Sequence, residues 1–140
     1  MQALARNQFW MVGALVLSCI WLYTNQAART NPIAPIREVS AVEARELMDI
    51  RRTVVIDVRE KDVFDQGHLP GAVSVPIGEL GARMDSLGLA RADPVLVYCG
   101  EGIIRGAEAT RQLNARGFEG AVNLKGGYNG WKIAGHPVAR

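Results

Sequence analysis

The sequence predicts an α/β fold with a mostly parallel sheet, and two observations carry this prediction. Short runs of β-branched and other apolar residues recur along the chain after its N-terminal segment. Segments with a helical pattern separate these runs, and strands that alternate with helices are typical of parallel sheets. A length of 140 residues, of which 49% are hydrophobic, suits a single domain with a sizeable core.

The first elements follow from a helix start signal and a β-branched run. Ser40 with Glu43 three residues later forms a capping-box pattern, which predicts a helix over Ala41–Asp49. The run Thr53–Val58 is short and rich in valine and isoleucine, so we expect a buried strand. The segment "EKDVFDQG" predicts a brief helical turn that ends at Gly67.

The remaining elements continue the alternation. The segment "AVSVP" predicts a brief strand, and "IGELGARMDSLG" a weak helix interrupted by glycines. The segment "PVLVYC" is the most apolar strand, and "RGAEATRQLNARG" has a helical pattern that ends at Gly117. The segments "AVNLKGG" and "NGWKIAG" predict a last strand and a last short helix.

The N-terminal segment predicts a membrane anchor. The uncharged stretch between Arg6 and Arg29 would form a helix of ~33 Å, enough to cross a bilayer. We therefore expect a tail at 1–8, a single-pass transmembrane anchor or signal segment at 9–28, a linker at 29–36 and a folded domain at 37–140. The flanking charges only weakly favour an exported, periplasmic domain. A cleaved signal peptide and a lipoprotein modified at Cys19 are the alternatives.

Charge and composition exclude several classes of function. The formal net charge of +2 comes from Arg6 and Arg29, so the rest of the chain is balanced and nucleic-acid binding is not expected. His68 and His136 are far apart and have no neighbouring ligands at zinc spacing, so no metal site is expected.

Cys99 is the candidate reactive residue. It ends the most apolar predicted strand, and sites in open α/β sheets form beyond the carboxyl ends of strands. The helix that follows presents unpaired backbone N–H groups, which favour an anion such as a thiolate. Gly100 and Gly102 allow the loop to curl so that several N–H groups point at one place. The alternative interpretation is a buried cysteine that only closes the strand.

Three motifs resemble the rhodanese (sulfurtransferase) family. They are "DVREKDVFDQGHLPGAVSVP", "VYCGEGIIRG" and "VNLKGGYNGWKIAGHPV", in the order and spacing typical of that family. The resemblance implies a rhodanese-like, five-stranded, mostly parallel sheet with helices on both faces, here preceded by one N-terminal hydrophobic helix. It also implies an enzyme that needs no metal or organic cofactor.

The implied reaction moves a sulfane sulfur from thiosulfate or a persulfide donor to a thiol or cyanide through a persulfide on Cys99. Asp57 and Arg59 match family positions near the site, where a structural ion pair is the favoured role. The resemblance places the substrate in the loop after the cysteine, whose residues are Gly100, Glu101, Gly102, Ile103, Ile104 and Arg105.

This loop departs from the usual family pattern in two ways. Glu101 stands near the expected mouth of the site, where a carboxylate would repel thiosulfate. The segment after Cys99 is also one residue longer, either in the loop or as a kink in the helix. A longer loop, with five residues between Cys99 and Arg105, resembles rhodanese-fold phosphatases and arsenate reductases.

Three hypotheses therefore stay open. The first is a membrane-tethered sulfurtransferase that works through Cys99. The second is a phosphatase or arsenate reductase that uses the wide loop, with Arg105 as the clamp for an oxyanion. The third is a catalytically weak binding module that kept the fold.

Overall fold

The computed structural model describes residues 14–24, 35–50 and 52–140. The chain divides into two units, Met1–Ala34 and Pro35–Arg140. In the first unit the described part is one helix, α1, over residues 14–24. The expected tail at 1–8 and most of the expected linker at 29–36 lie outside the described residues.

The predicted membrane anchor is wrong. Among the described residues, no helix combines the length and the apolar character that crossing a bilayer requires. The prediction took the whole uncharged stretch as one helix, and the part of that stretch that the structure describes, residues 14–24, does not meet the requirement of length and apolar character. The predictions of a single-pass membrane localisation and of an exported domain depended on this anchor and are contradicted with it.

The second unit is built on a five-stranded parallel sheet with the order β1-β5-β4-β2-β3. The strands are β1 (Glu38–Val39), β2 (Val54–Asp57), β3 (Val73–Ser74), β4 (Val95–Tyr98) and β5 (Ala121–Leu124). The helices are α2 (Ala41–Ile50), α3 (Lys61–Gln66), α4 (Leu80–Arg83), α5 (Arg105–Ala115) and α6 (Gly127–Ile133), with a 3-10 helix at Met84–Leu87. The predicted α/β class and parallel sheet are confirmed.

Alternate residues of the central strand enter two separate cores. Val95, Val97 and Cys99 face one core, which also takes residues from α4 and α5. Leu96 and Tyr98 face the other, which takes residues from α2 and α6. Successive side chains of a strand point to opposite faces, so both faces of the sheet are covered by helices. The sheet therefore directs the Cys99 side chain to the face that carries α5.

Two details differ from the sequence-based expectations. Strand β1 was not predicted, because two residues give no periodic signal and their pairing with β5 is contributed by the far end of the chain. The predicted weak helix is divided into α4 and the 3-10 helix, which ends at Gly88 in the left-handed conformation.

The predicted capping box is present at the start of α2. The Ser40 backbone N–H donates to Glu43 Oε2 at 2.7 Å, and the Glu43 N–H donates to Ser40 Oγ at 3.3 Å. The hydrogen bonds from the Ser40 backbone and hydroxyl lower the pKa of Glu43. A carboxylate whose pKa is lower in the folded state stabilises the fold at pH values above the ordinary glutamate pKa. This stabilisation is lost as the pH falls through the folded-state pKa.

We therefore expect Glu43→Gln to lower the melting temperature at neutral pH and to have little effect in acid. Thermal unfolding followed by circular dichroism at a series of pH values from about 7 to about 2 measures the difference between the two proteins. A difference that stays constant over this range would show that the ionised carboxylate is not what caps the helix.

Candidate active site

The loop between β4 and α5 positions Cys99. Strand β4 ends at Tyr98, so Cys99 is the first residue of the loop, and its side chain is 7% exposed. The Gly102 backbone N–H donates to Cys99 Sγ at 3.2 Å. Helix α5 runs without interruption from Arg105, so five residues lie between Cys99 and the helix. The alternative of a kink inside the helix is therefore excluded.

Gly102 is required by the shape of this loop. Its φ of +73° lies in the left-handed region, which favours glycine. A Cβ at this position would lie 2.3 Å from the Leu124 carbonyl oxygen and 2.7 Å from the Gly127 nitrogen. Gly100, by contrast, has no positive φ, and a Cβ there would meet nothing within 4 Å. Of the two glycines predicted to shape the loop, the backbone conformation depends on Gly102.

The start of α6 holds the other side of the loop through backbone hydrogen bonds. The Tyr128 N–H donates to the Cys99 carbonyl at 2.8 Å, and the Asn129 N–H donates to the Gly100 carbonyl at 3.0 Å. Gly127 approaches so closely that a Cβ there would lie 2.3 Å from the Cys99 carbonyl oxygen. The loop is therefore clamped between its own helix and α6.

Asn123 is a site residue that the sequence analysis missed. Its side chain is fully buried in β5, and Nδ2 donates to the Gly102 carbonyl and to Glu38 Oε1, both at 2.7 Å. Buried polar groups are usually hydrogen-bonded, and here the amide fixes the residue that contacts the cysteine sulfur. The available signal was a polar residue inside the otherwise apolar run "AVNL".

Asp57 and Arg59 form a buried ion pair beside the loop. Arg59 Nη2 lies 2.6 Å from Asp57 Oδ2 and also donates to the Gly67 carbonyl at 2.7 Å. Burial disfavours the charged guanidinium, but the hydrogen bonds and charge of Asp57 outweigh it and raise the pKa of Arg59. The guanidinium also lies over the Tyr128 ring, 4.2 Å from its centroid. The pair has the structural geometry that the sequence favoured, and it joins β2, the end of α3 and α6.

An open cleft of about 490 Å³ lies over Cys99. The predicted loop residues line it together, except Gly102, which is buried and donates its N–H to the sulfur. The full lining is Arg59, Glu60, Val63, Cys99, Gly100, Glu101, Ile103, Ile104, Arg105 and Asn129. Glu60, Val63 and Asn129 were not predicted, because only the packing of α3 and α6 brings them to the cleft.

The rim of this cleft carries two exposed isoleucines, and each of its two arginines is paired with a carboxylate. Ile103 and Ile104 are 69% and 77% exposed. Arg105, predicted as a clamp for an anion, instead has its Nη1 at 3.9 Å from Glu60 Oε1. Glu101 is exposed at the cleft and has no ion-pair partner within the described part of the chain.

The two histidines lie outside the cleft lining. His68 stacks on Phe64 and its Nδ1 lies 3.1 Å from the Phe64 carbonyl, while His136 packs against Trp131.

Over residues 14–24, 35–50 and 52–140, no group of three or more metal-ligating side chains comes together. In the described part of the chain, the cleft offers the Cys99 sulfur, to which the Gly102 N–H donates, beside the exposed side chains of Ile103 and Ile104.

Comparisons with known proteins agree with this geometry. The family model for the rhodanese-like domain matches residues 40–134. The thiosulfate sulfurtransferase GlpE of Coxiella burnetii is 33% identical over 103 residues, which cover 74% of this chain and 92% of that protein.

Solved structures show the same fold. A rhodanese-related protein from Thermoplasma volcanium matches with a TM-score of 0.66 and 29% identity, over 74% of this chain and 97% of its own. A thiosulfate sulfurtransferase from Pseudomonas aeruginosa matches with a TM-score of 0.67 and 31% identity, over 75% of this chain and 20% of its own. The chain belongs to the rhodanese-like domain family.

Proposed function

We propose that the protein is a sulfurtransferase whose nucleophile is Cys99. The observation that carries the proposal is the hydrogen bond from the Gly102 N–H to Cys99 Sγ at the floor of an open cleft. A preorganised N–H donor stabilises negative charge on the sulfur before and after it is transferred. The similarity to the protein named thiosulfate sulfurtransferase GlpE supports the same chemistry.

The reaction would proceed in two displacement steps. The Cys99 thiolate attacks the outer sulfur of the donor, and the donor's S–S bond breaks. With thiosulfate, sulfite leaves with the bonding electron pair, and Cys99 retains the sulfur as a persulfide. A thiolate or cyanide then attacks the terminal sulfur, and Cys99 leaves as a thiolate. Two displacements through a covalent intermediate replace one direct transfer between the substrates.

The apolar rim supports sulfur as the transferred atom. Ile103 and Ile104 add exposed apolar surface to the edge of the cleft, which suits a polarisable sulfur better than a strongly hydrated phosphate. The five-residue loop before Arg105 is the feature in favour of oxyanion chemistry, but the arginine of that loop is paired with Glu60. We therefore rank sulfur transfer above phosphate or arsenate chemistry.

Incubation with thiosulfate or a small persulfide is expected to add the mass of one sulfur atom to the peptide that contains Cys99. Cyanide or a thiol should then remove the added mass. Intact-protein and peptide mass spectrometry, performed without reducing agent, measures both steps. Cys99→Ser should carry no adduct at this position, whereas Cys19→Ser serves as the matched control and should keep it.

Other outcomes would replace the proposal. If no donor modifies Cys99 while an aryl phosphate is hydrolysed or arsenate is reduced in a Cys99-dependent manner, the wide loop serves oxyanion chemistry. If Cys99 reacts with alkylating agents but none of these substrates is turned over, the domain is a binding module.

A further inference from the structure

The charges around the cleft are nearly cancelled. Arg59 is neutralised by Asp57, and Arg105 lies against Glu60. Glu101 is left as an unpaired negative charge among the described residues of the lining. Among the described residues that line it, the cleft therefore has no unpaired cation for a doubly charged anion such as thiosulfate.

Of the two ion pairs at the cleft, the one between Glu60 and Arg105 is exposed, so its charges can be changed without disturbing the core. The two side chains come from different elements, since Glu60 precedes α3 and Arg105 begins α5. They are 64% and 55% exposed, and their closest atoms are 3.9 Å apart. An exposed pair at this distance adds little to the stability of the fold, so removing Glu60 leaves the fold intact while it takes away the negative charge beside Arg105.

The apolar lining indicates what the cleft can hold instead. Val63, Ile103 and Ile104 are exposed at its edge. A donor with an apolar substituent would cover these side chains and remove apolar surface from water. A persulfide or thiosulfonate anion with such a substituent carries one negative charge, whereas thiosulfate carries two.

We propose that Glu60 is a specificity-determining residue, which pairs with Arg105 and so directs the cleft towards singly charged sulfane donors with an apolar substituent and away from thiosulfate. The inference rests on the proposed sulfurtransferase function and names the substrate class of the same site. Glu60 contacts Arg105 and not the sulfur, so it acts by positioning and neutralising the arginine.

Two donors that differ by one charge test the inference. Thiosulfate and methanethiosulfonate both transfer their outer sulfur to a thiolate, and they release sulfite and methanesulfinate respectively. Rapid quenching and mass spectrometry of the full chain measure the second-order rate constant for adding sulfur to Cys99. Glu60 makes no side-chain cap to α3, so Glu60→Gln removes no capping contact from the fold.

In Glu60→Gln we expect the rate constant for thiosulfate to rise about tenfold and that for methanethiosulfonate about threefold, because the uncompensated charge of Arg105 then attracts two negative charges in one case and one in the other. The gain should shrink at high salt, since exposed charges are screened. Asp62→Asn removes an acid that does not line the cleft and is the matched control for net charge. Its ratio of rate constants should stay near that of the unmodified protein.

A double variant tests whether Glu60 acts through Arg105. In an Arg105→Gln background, Glu60→Gln should raise the rate constant for thiosulfate by about threefold or less. Only the direct repulsion between Glu60 and the donor is then removed. An equal gain in both backgrounds, or an unchanged ratio between the donors in Glu60→Gln, would overturn the inference while leaving the sulfurtransferase function intact. If neither donor adds sulfur to Cys99 in the unmodified protein, the function and the inference fail together.

Discussion

Arg59→Met is expected to lower the free energy of unfolding by about 3–5 kcal/mol, because it leaves a buried carboxylate without its partner. Asp57 is fully buried, and Arg59 contributes three side-chain hydrogen bonds to it. The substitution also removes the donor to the Gly67 carbonyl. Methionine keeps much of the side-chain volume, so the loss reports the missing charge and hydrogen bonds.

Urea unfolding monitored by tryptophan fluorescence measures this effect. Arg45→Met is the matched control, since Arg45 pairs with Asp49 on the exposed surface of α2. An exposed pair of this kind contributes about 0.3–0.5 kcal/mol. Equal losses in the two variants would show that the pair of Asp57 and Arg59 does not hold β2 against α3 and α6.

Gly102→Ala is expected to impair both folding and sulfur transfer. The left-handed backbone and the contact with the Leu124 carbonyl cannot both be kept with a Cβ present, so the loop must move. Strain and overpacking together suggest a loss of about 2–5 kcal/mol in the free energy of unfolding. Movement also removes the N–H donor from Cys99 Sγ, which by analogy with other preorganised donors slows sulfur addition about a hundredfold.

Gly100→Ala is the matched control for stability. Its Cβ would enter open space, so the free energy of unfolding should change by less than about 0.5 kcal/mol. Urea unfolding gives the stabilities, and the sulfur-addition rate of the folded fraction at low temperature separates chemistry from folding. If Gly102→Ala is as stable as Gly100→Ala and reacts at the normal rate, the loop adapts more easily than its contacts imply.

The local chemistry of the chain determined much of the fold. The capping box at Ser40, the β-branched run of β2 and the glycine stop at Gly67 are signals contained in a few adjacent residues. They predict elements because helix caps and buried strands depend mainly on nearest neighbours. The same reasoning placed Cys99 at the carboxyl end of the central strand with a glycine-shaped loop after it.

Only the tertiary structure decided which residues surround that cysteine and how its charges are paired. Asn123 reaches Glu38 across 85 positions of the sequence, and Glu60 meets Arg105 from a different strand–helix connection. The membrane anchor was also wrongly predicted, because an uncharged stretch of sequence does not by itself establish a helix long and apolar enough to cross a bilayer. Contacts between distant residues depend on strand order and helix packing, and these leave no signal in the local pattern.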